Sequence, residues 1–298
     1  MSRIHLSCLA ALAMGAVAVP GTDDPPAPRL LGTKDYASRP AVPPDARRVY
    51  GRAPAQFVEV YLPKKGVLPR RTVVFFHGGC WMSRFGLEPL GGFCRALADE
   101  TGAAVFSVEY RRIGEDGGGF PGTFLDAASA LELVDEVADE MALSRERVTV
   151  AGHSAGGHLA LWLASRAGLP ADDPLRTPVR IRPERVVALA PIADLRDLSA
   201  TACADAADGL LGPPSLRALR LGSASPAARL PLGVPQVVVA GASDPIVPVA
   251  TLRAFAEKAR AAGDAVSLVE VPRAGHFELV TPGSAAWGEV LAAFRGER

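Results

Sequence analysis

The chain has 298 residues and a mass of 31.0 kDa, enough for one large α/β domain with its own core. Basic and acidic residues number 32 each, the formal net charge is +0, and no basic stripe runs along the chain, so nothing in the charge calls for a nucleic-acid partner. No apolar run reaches the roughly 20 residues that a spanning helix needs, so no membrane span is expected.

The chain opens MSRIHLSCLAALAMGAVAVPGTDDPP, with Arg3, an apolar stretch over 6–19 and an A-x-A site at Ala16-Val17-Ala18. This reads as a secretory signal over 1–20, which would place the mature protein outside the cell or in the periplasm. The alternative is an N-terminal extension of a cytoplasmic protein. Cys8 would leave with the signal; Cys80, Cys94 and Cys203 then allow at most one disulfide, and which two pair is open. Residues 21–46, crowded with Pro and small polar residues, read as an extended, poorly ordered lead-in. They offer no amphipathic helix pair to cap a site. The remainder, 47–298, reads as a single catalytic domain.

Residues 48–51 and 57–62 look like opening antiparallel strands. The run TVVFF at 72–76 is a buried strand, and it ends in His77-Gly78-Gly79-Cys80-Trp81. Such a strand end can aim backbone N–H groups at a developing negative charge, which makes Gly78 and Gly79 candidate oxyanion donors. His77 would then orient the loop and, with Cys80 and Trp81, line a substrate pocket. Helix 90–100 and strand 103–108 follow, the latter ending in Glu109-Tyr110-Arg111-Arg112; Glu109 and Asp126 read as groups that anchor loops near the site. The glycine-rich stretch 114–122 lacks G-K-[ST] and is no phosphate loop. Helical periodicity covers 124–141.

The stretch VTVAGHSAGGHLALWL at 148–163 organises the rest. A β-branched run stops at Gly152-His153-Ser154-Ala155-Gly156, and apolar helical spacing begins at once. Strand, G-x-S-x-G, helix is the context of a nucleophile elbow, in which glycines two positions before and after the serine spare it collisions with the strand and helix. Ser154 is the expected nucleophile. His153 and His158 are too local to reach over the serine and read as structural.

Residues 185–190 form another buried strand, ending near Asp194, and 195–232 make an irregular excursion over the site. Strand 236–240 ends in Gly241-Ala242-Ser243-Asp244-Pro245, helix 250–262 and strand 265–271 follow, then Gly275-His276-Phe277-Glu278 and a closing helix at 284–294. The alternation predicts an α/β fold, a mostly parallel twisted sheet with helices on both faces. Ser154, Asp244 and His276 then stand in the order Ser…Asp…His at the ends of successive strands. Asp194 is the rival acid. The base would be His276, with Phe277 beside it lining the pocket. No cluster with metal-ligand spacing is present, and the chemistry calls for no cofactor.

The motifs HGGCW, VEYRR, GGGFPGTFLDAASAL, GHSAGGHLALWLA, GASDPIVP and AGHFEL, spread over 72–280, resemble the α/β-hydrolase esterases, specifically the branch with kynurenine-formamidase-like (arylformamidase) enzymes and, more distantly, the hormone-sensitive-lipase group. Cys80 stands where the latter group carries a third glycine, which tilts the resemblance toward the formamidase-like side. The resemblance implies a serine hydrolase with Ser154 as nucleophile, Asp244 as acid, His276 as base and oxyanion donors from the backbone of Gly78, Gly79 and Ala155. Its substrate would be a small carboxylic ester or an amide. A peptidase resembling prolyl oligopeptidase and a non-catalytic binding protein of the same fold are the other readings.

Overall fold

The computed structural model describes residues 29–64, 66–69 and 71–298; the expected leader at 1–20 lies outside them. In chain order the elements are α1 (Thr33–Ala37), β1 (Ala46–Val49), β2 (Phe57–Tyr61), β3 (Thr72–Phe76), α2 (Gly91–Thr101), β4 (Ala104–Val108), α3 (Gly122–Val137), β5 (Val148–His153), α4 (Ala155–Ser165), β6 (Arg185–Leu189), α5 (Ala207–Leu211), α6 (Pro214–Ala224), β7 (Gln236–Gly241), α7 (Val249–Ala261), β8 (Val266–Val271) and α8 (Trp287–Arg295).

The eight strands form one sheet in the order β1-β2-β4-β3-β5-β6-β7-β8. β1–β2 and β2–β4 pair antiparallel, and every other neighbouring pair is parallel. Every residue of β3, β4 and β5 is buried, as strands covered on both faces require. α4, built from GGHLALWLAS-type small and apolar residues, is buried along its whole length because it packs under β5, β6 and β3. The edge strand β8 is only half covered.

Two segments differ from the sequence expectation. The lead-in is not extended throughout: α1 forms at 33–37, and its Tyr36 is buried against Phe277, with ring centroids 5.0 Å apart. Within the excursion, residues fold into α5 and α6, and Pro214 opens the second of these, where a missing N–H costs nothing.

Candidate active site

The sequence turns sharply where β5 gives way to α4. Ser154 sits at that junction with φ 56° and ψ −120°, a conformation that a non-glycine residue adopts only under constraint. The constraint is visible in the glycines. A Cβ at Gly152 would stand 2.3 Å from the Gly156 carbonyl oxygen, and one at Gly156 would stand 2.0 Å from that of Phe76. Ser154 N donates to Leu189 O (2.8 Å), while Ser154 O accepts from His158 N (3.1 Å), so the elbow is stitched to both β6 and α4. The amino end of α4, with its unpaired N–H groups, lies directly after the hydroxyl.

Asp244 follows β7 and His276 follows β8. His276 Nδ1 donates to Asp244 Oδ2 (2.7 Å), and the other carboxylate oxygen accepts the amides of Ile246 (2.7 Å) and Val247 (2.9 Å). Both oxygens of the acid are therefore engaged, and the imidazole is held in one orientation. Asp194, the rival acid, is engaged elsewhere: it accepts from the Arg196 amide and guanidinium and from the Ser225 hydroxyl. Burial pushes its pKa up, but Arg196 more than offsets this and holds it below the ordinary range.

Ser154 and His276 line one cavity of about 160 Å³, together with Gly78, Gly79, Cys80, Phe277 and His153. The serine hydroxyl and the imidazole share no direct hydrogen bond among the described residues, a looseness common before substrate binds. Gly78 lies against the elbow, since a Cβ there would stand 3.1 Å from Ser154 Cβ. His153 Nε2 donates to the His276 carbonyl (3.1 Å), fixing the backbone of the expected base. Burial and the neighbouring His276 hold the His153 imidazole well below its ordinary pKa, so it stays neutral.

Two of the expected pocket residues lie elsewhere. His77 is fully buried: Nε2 donates to Glu109 Oε1 (2.9 Å), Nδ1 lies 2.7 Å from Gly78 O, and the ring stacks on Tyr110 at 4.4 Å. It shapes the loop from beneath instead of touching a ligand. Glu109 is pushed up by burial, yet His77, Arg112 and the Tyr110 amide outweigh this and keep it an anion. Trp81 is also fully buried, edge-on to His158 at 5.0 Å, because its positive φ of 55° turns the indole inward. Asp126 anchors as expected, held by Arg111 and Gln56.

The cavity also takes Thr33 and Tyr36 from α1, Arg84 and Phe85 after the oxyanion loop, Ala202 from the excursion and Ile246 beside the acid. None of these was singled out from sequence; Ile246 falls within GASDPIVP, and no motif marks the others. Cys80 reaches the cavity as a disulfide with Cys203, and Cys94 is buried and free. Among the described residues, no group of three or more His, Cys, Asp or Glu is placed to hold a metal ion, and no helix is long and apolar enough to cross a membrane.

A serine on a strand–elbow–helix turn, beside an Asp–His pair on a mostly parallel sheet, defines an α/β hydrolase. The profile of the alpha/beta hydrolase fold family matches residues 73–279, and the chain belongs to that family. It is 30% identical over 253 residues to Esterase LipC of Mycobacterium tuberculosis (strain ATCC 25618 / H37Rv), a match covering 78% of this chain and 60% of that protein. Carboxylesterase NlhH of the same organism is 38% identical over 112 residues, 37% of this chain and 34% of that one. The chain thus spans about three fifths of the first relative and about a third of the second. Esterase B of Lactobacillus rhamnosis superposes with a TM-score of 0.72 at 20% identity, covering 88% of this chain and 90% of that one, which shows the shared fold. These relatives support the serine-esterase reading on the hormone-sensitive-lipase-like branch of the resemblance.

Proposed function

We propose that this protein is a serine hydrolase that cleaves esters of small carboxylic acids through an acyl-Ser154 intermediate. The observation that carries the reading is the convergence of Ser154, on its strained elbow, and the His276–Asp244 pair on one small cavity. Two similar proteins named as esterases support the choice of an ester bond.

In this mechanism His276 takes the serine proton as Ser154 Oγ attacks the carbonyl carbon. Asp244 holds the imidazole with Nδ1 protonated, so that Nε2 carries the lone pair. The tetrahedral oxyanion is received by the amides of Gly78, Gly79 and Ala155, each such donor being worth on the order of 3 kcal/mol in the transition state. His276 then protonates the leaving alcohol, and water, activated by the same imidazole, releases the acid. The cavity volume of about 160 Å³ favours a short acyl group over a peptide. The Cys80–Cys203 disulfide supports the export expected from the leader, since such bonds persist in oxidising compartments.

The test is hydrolysis of p-nitrophenyl acetate and butyrate by wild type and Ser154→Ala, with fluorophosphonate labelling of both and N-formylkynurenine as the amide comparator. Ester turnover and labelling that vanish in the variant support the reading. Turnover that survives Ser154→Ala would overturn the mechanism, and a strong preference for N-formylkynurenine would move the assignment to a formamidase.

A further inference from the structure

The oxyanion loop stands in an unfavourable backbone conformation. Gly79, Cys80 and Trp81 follow one another with φ of 107°, 51° and 55°, and two of the three carry side chains that disfavour this region. Strain of this kind persists only where the surroundings over-determine it. On the core side they do: Ile113 N donates to Trp81 O (2.7 Å), Met82 N donates to Gly79 O (3.0 Å), and the Trp81 indole is buried. On the cavity side the restraint is covalent. Cys80 is bonded to Cys203, which is 123 residues further along the chain.

Cys203 belongs to the segment that passes over the cavity. Its neighbour Ala202 donates its amide to Ile246 O (3.0 Å), and Ile246 N donates to Asp244 Oδ1 (2.7 Å). A continuous path therefore runs from Gly79 through the disulfide and Ala202 to the loop that carries Asp244. Cys80, Ala202 and Ile246 all line the cavity, so the path crosses its wall.

We propose that the Cys80–Cys203 disulfide is a positioning element of the active site, a brace that holds the Gly78 and Gly79 amides where acylation of Ser154 requires them, so that full turnover depends on the oxidised protein. This rests on the serine-hydrolase reading above. Oxyanion donors act by being in place before charge develops. A loop released from the brace must be reordered in the transition state, which lowers kcat more than it raises KM. Reduction by dithiothreitol breaks the S–S bond, passes two electrons and two protons to the cysteines, and leaves the reagent as its cyclic disulfide. Cys94 takes no part in exchange: burial pushes its thiol up to about 12.

The experiment compares the full-length oxidised protein, the same protein after dithiothreitol, Cys203→Ser, and Cys80→Ala/Cys203→Ala. The readouts are thiol titration, amide hydrogen exchange over 77–82 and 200–206, and kcat and KM for p-nitrophenyl acetate below the melting temperature of each form. The expected result is exposure of both cysteine thiols on reduction, faster exchange in both segments, and a kcat at least about tenfold lower with KM within about threefold. Because reduction acts on protein already folded, a variant that fails to fold does not decide the outcome. A kcat within about twofold of the oxidised value once both thiols titrate, or faster exchange confined to 200–206, would overturn the brace. Fluorophosphonate labelling of the oxidised form separates the two readings: absence of labelling at Ser154 removes both, whereas labelling with unchanged kcat removes the brace alone.

Discussion

His276 Nδ1 lies 2.7 Å from Asp244 Oδ2, and the partner oxygen of that carboxylate is already committed to the Ile246 and Val247 amides. This arrangement makes Asp244→Asn an informative variant. The asparagine oxygen takes over the two amides, which leaves its NH2 group facing His276 Nδ1. A donor there forces the proton onto Nε2, and the imidazole can no longer accept one from Ser154. We expect kcat for p-nitrophenyl acetate to fall by about 10⁴ with little change in melting temperature. A loss of less than about tenfold would show that the pair does not orient the base.

The elbow makes a prediction about stability. Gly156→Ala places a methyl group 2.0 Å from Phe76 O and 2.5 Å from His77 O, both backbone atoms at the end of β3. Nothing there can rotate away, so the strand end must shift, at a cost of about 3 kcal/mol or more. Gly288→Ala on α8 is the control, since a Cβ there meets nothing within 4 Å. Denaturant unfolding should separate the two variants clearly, with Gly288→Ala within about 1 kcal/mol of wild type. Equal stability of the two would contradict the close approach at the elbow.

His158 gives the protein an acid-sensitive core. Its Nε2 donates to Ala224 O (2.9 Å), its Nδ1 is buried with no partner among the described residues, and Trp81 and Phe124 stand edge-on to the ring. Burial lowers its pKa to about 4, against about 6.5 in the unfolded chain. Between those values the unfolded chain binds more protons, so the contribution is complete above pH 6.5 and is lost as pH falls toward 4. Its size is on the order of 3 kcal/mol. His153 is shifted in the same direction and adds to the slope. His158→Gln keeps a donor toward Ala224 and carries no titrating group, so its stability should fall less steeply over this interval than that of wild type. Parallel pH curves for the two proteins would refute the assignment.

What was legible in the sequence was whatever a local rule enforces. β3 (TVVFF) and the opening Val148-Thr149-Val150 of β5 are β-branched or aromatic, because a strand covered on both faces has no polar side to display. Gly152 and Gly156 mark the elbow because no other residue fits. What was not legible depends on distance along the chain or on one dihedral angle. α1 is five residues long with one buried side chain, too short for any periodicity. The partner of Cys80 lies 123 residues away, and spacing alone could not choose between Cys94 and Cys203. Trp81 reads as a pocket residue from its place after Cys80, yet a positive φ sends it to the core.

Tyr36 is the clearest case of a site residue hidden in an unpromising segment, and it sets the last prediction. Its ring stacks on Phe277 at 5.0 Å and 24°, with the Arg39 guanidinium 4.8 Å from its centroid, and Arg39 in turn donates to Val280 O (2.7 Å). α1 is thereby tied to the turn that follows His276, and Tyr36 closes one side of the cavity. Tyr36→Ala removes that wall without touching Ser154, Asp244 or His276. Each methylene that the enlarged cavity admits contributes about 0.8 kcal/mol, or about fourfold in kcat/KM. The ratio of kcat/KM for p-nitrophenyl hexanoate to that for the acetate should therefore rise by at least about fivefold, while acetate turnover stays near that of wild type. An unchanged ratio would show that Tyr36 does not limit the acyl group, and would refute its role as a wall of the acyl site.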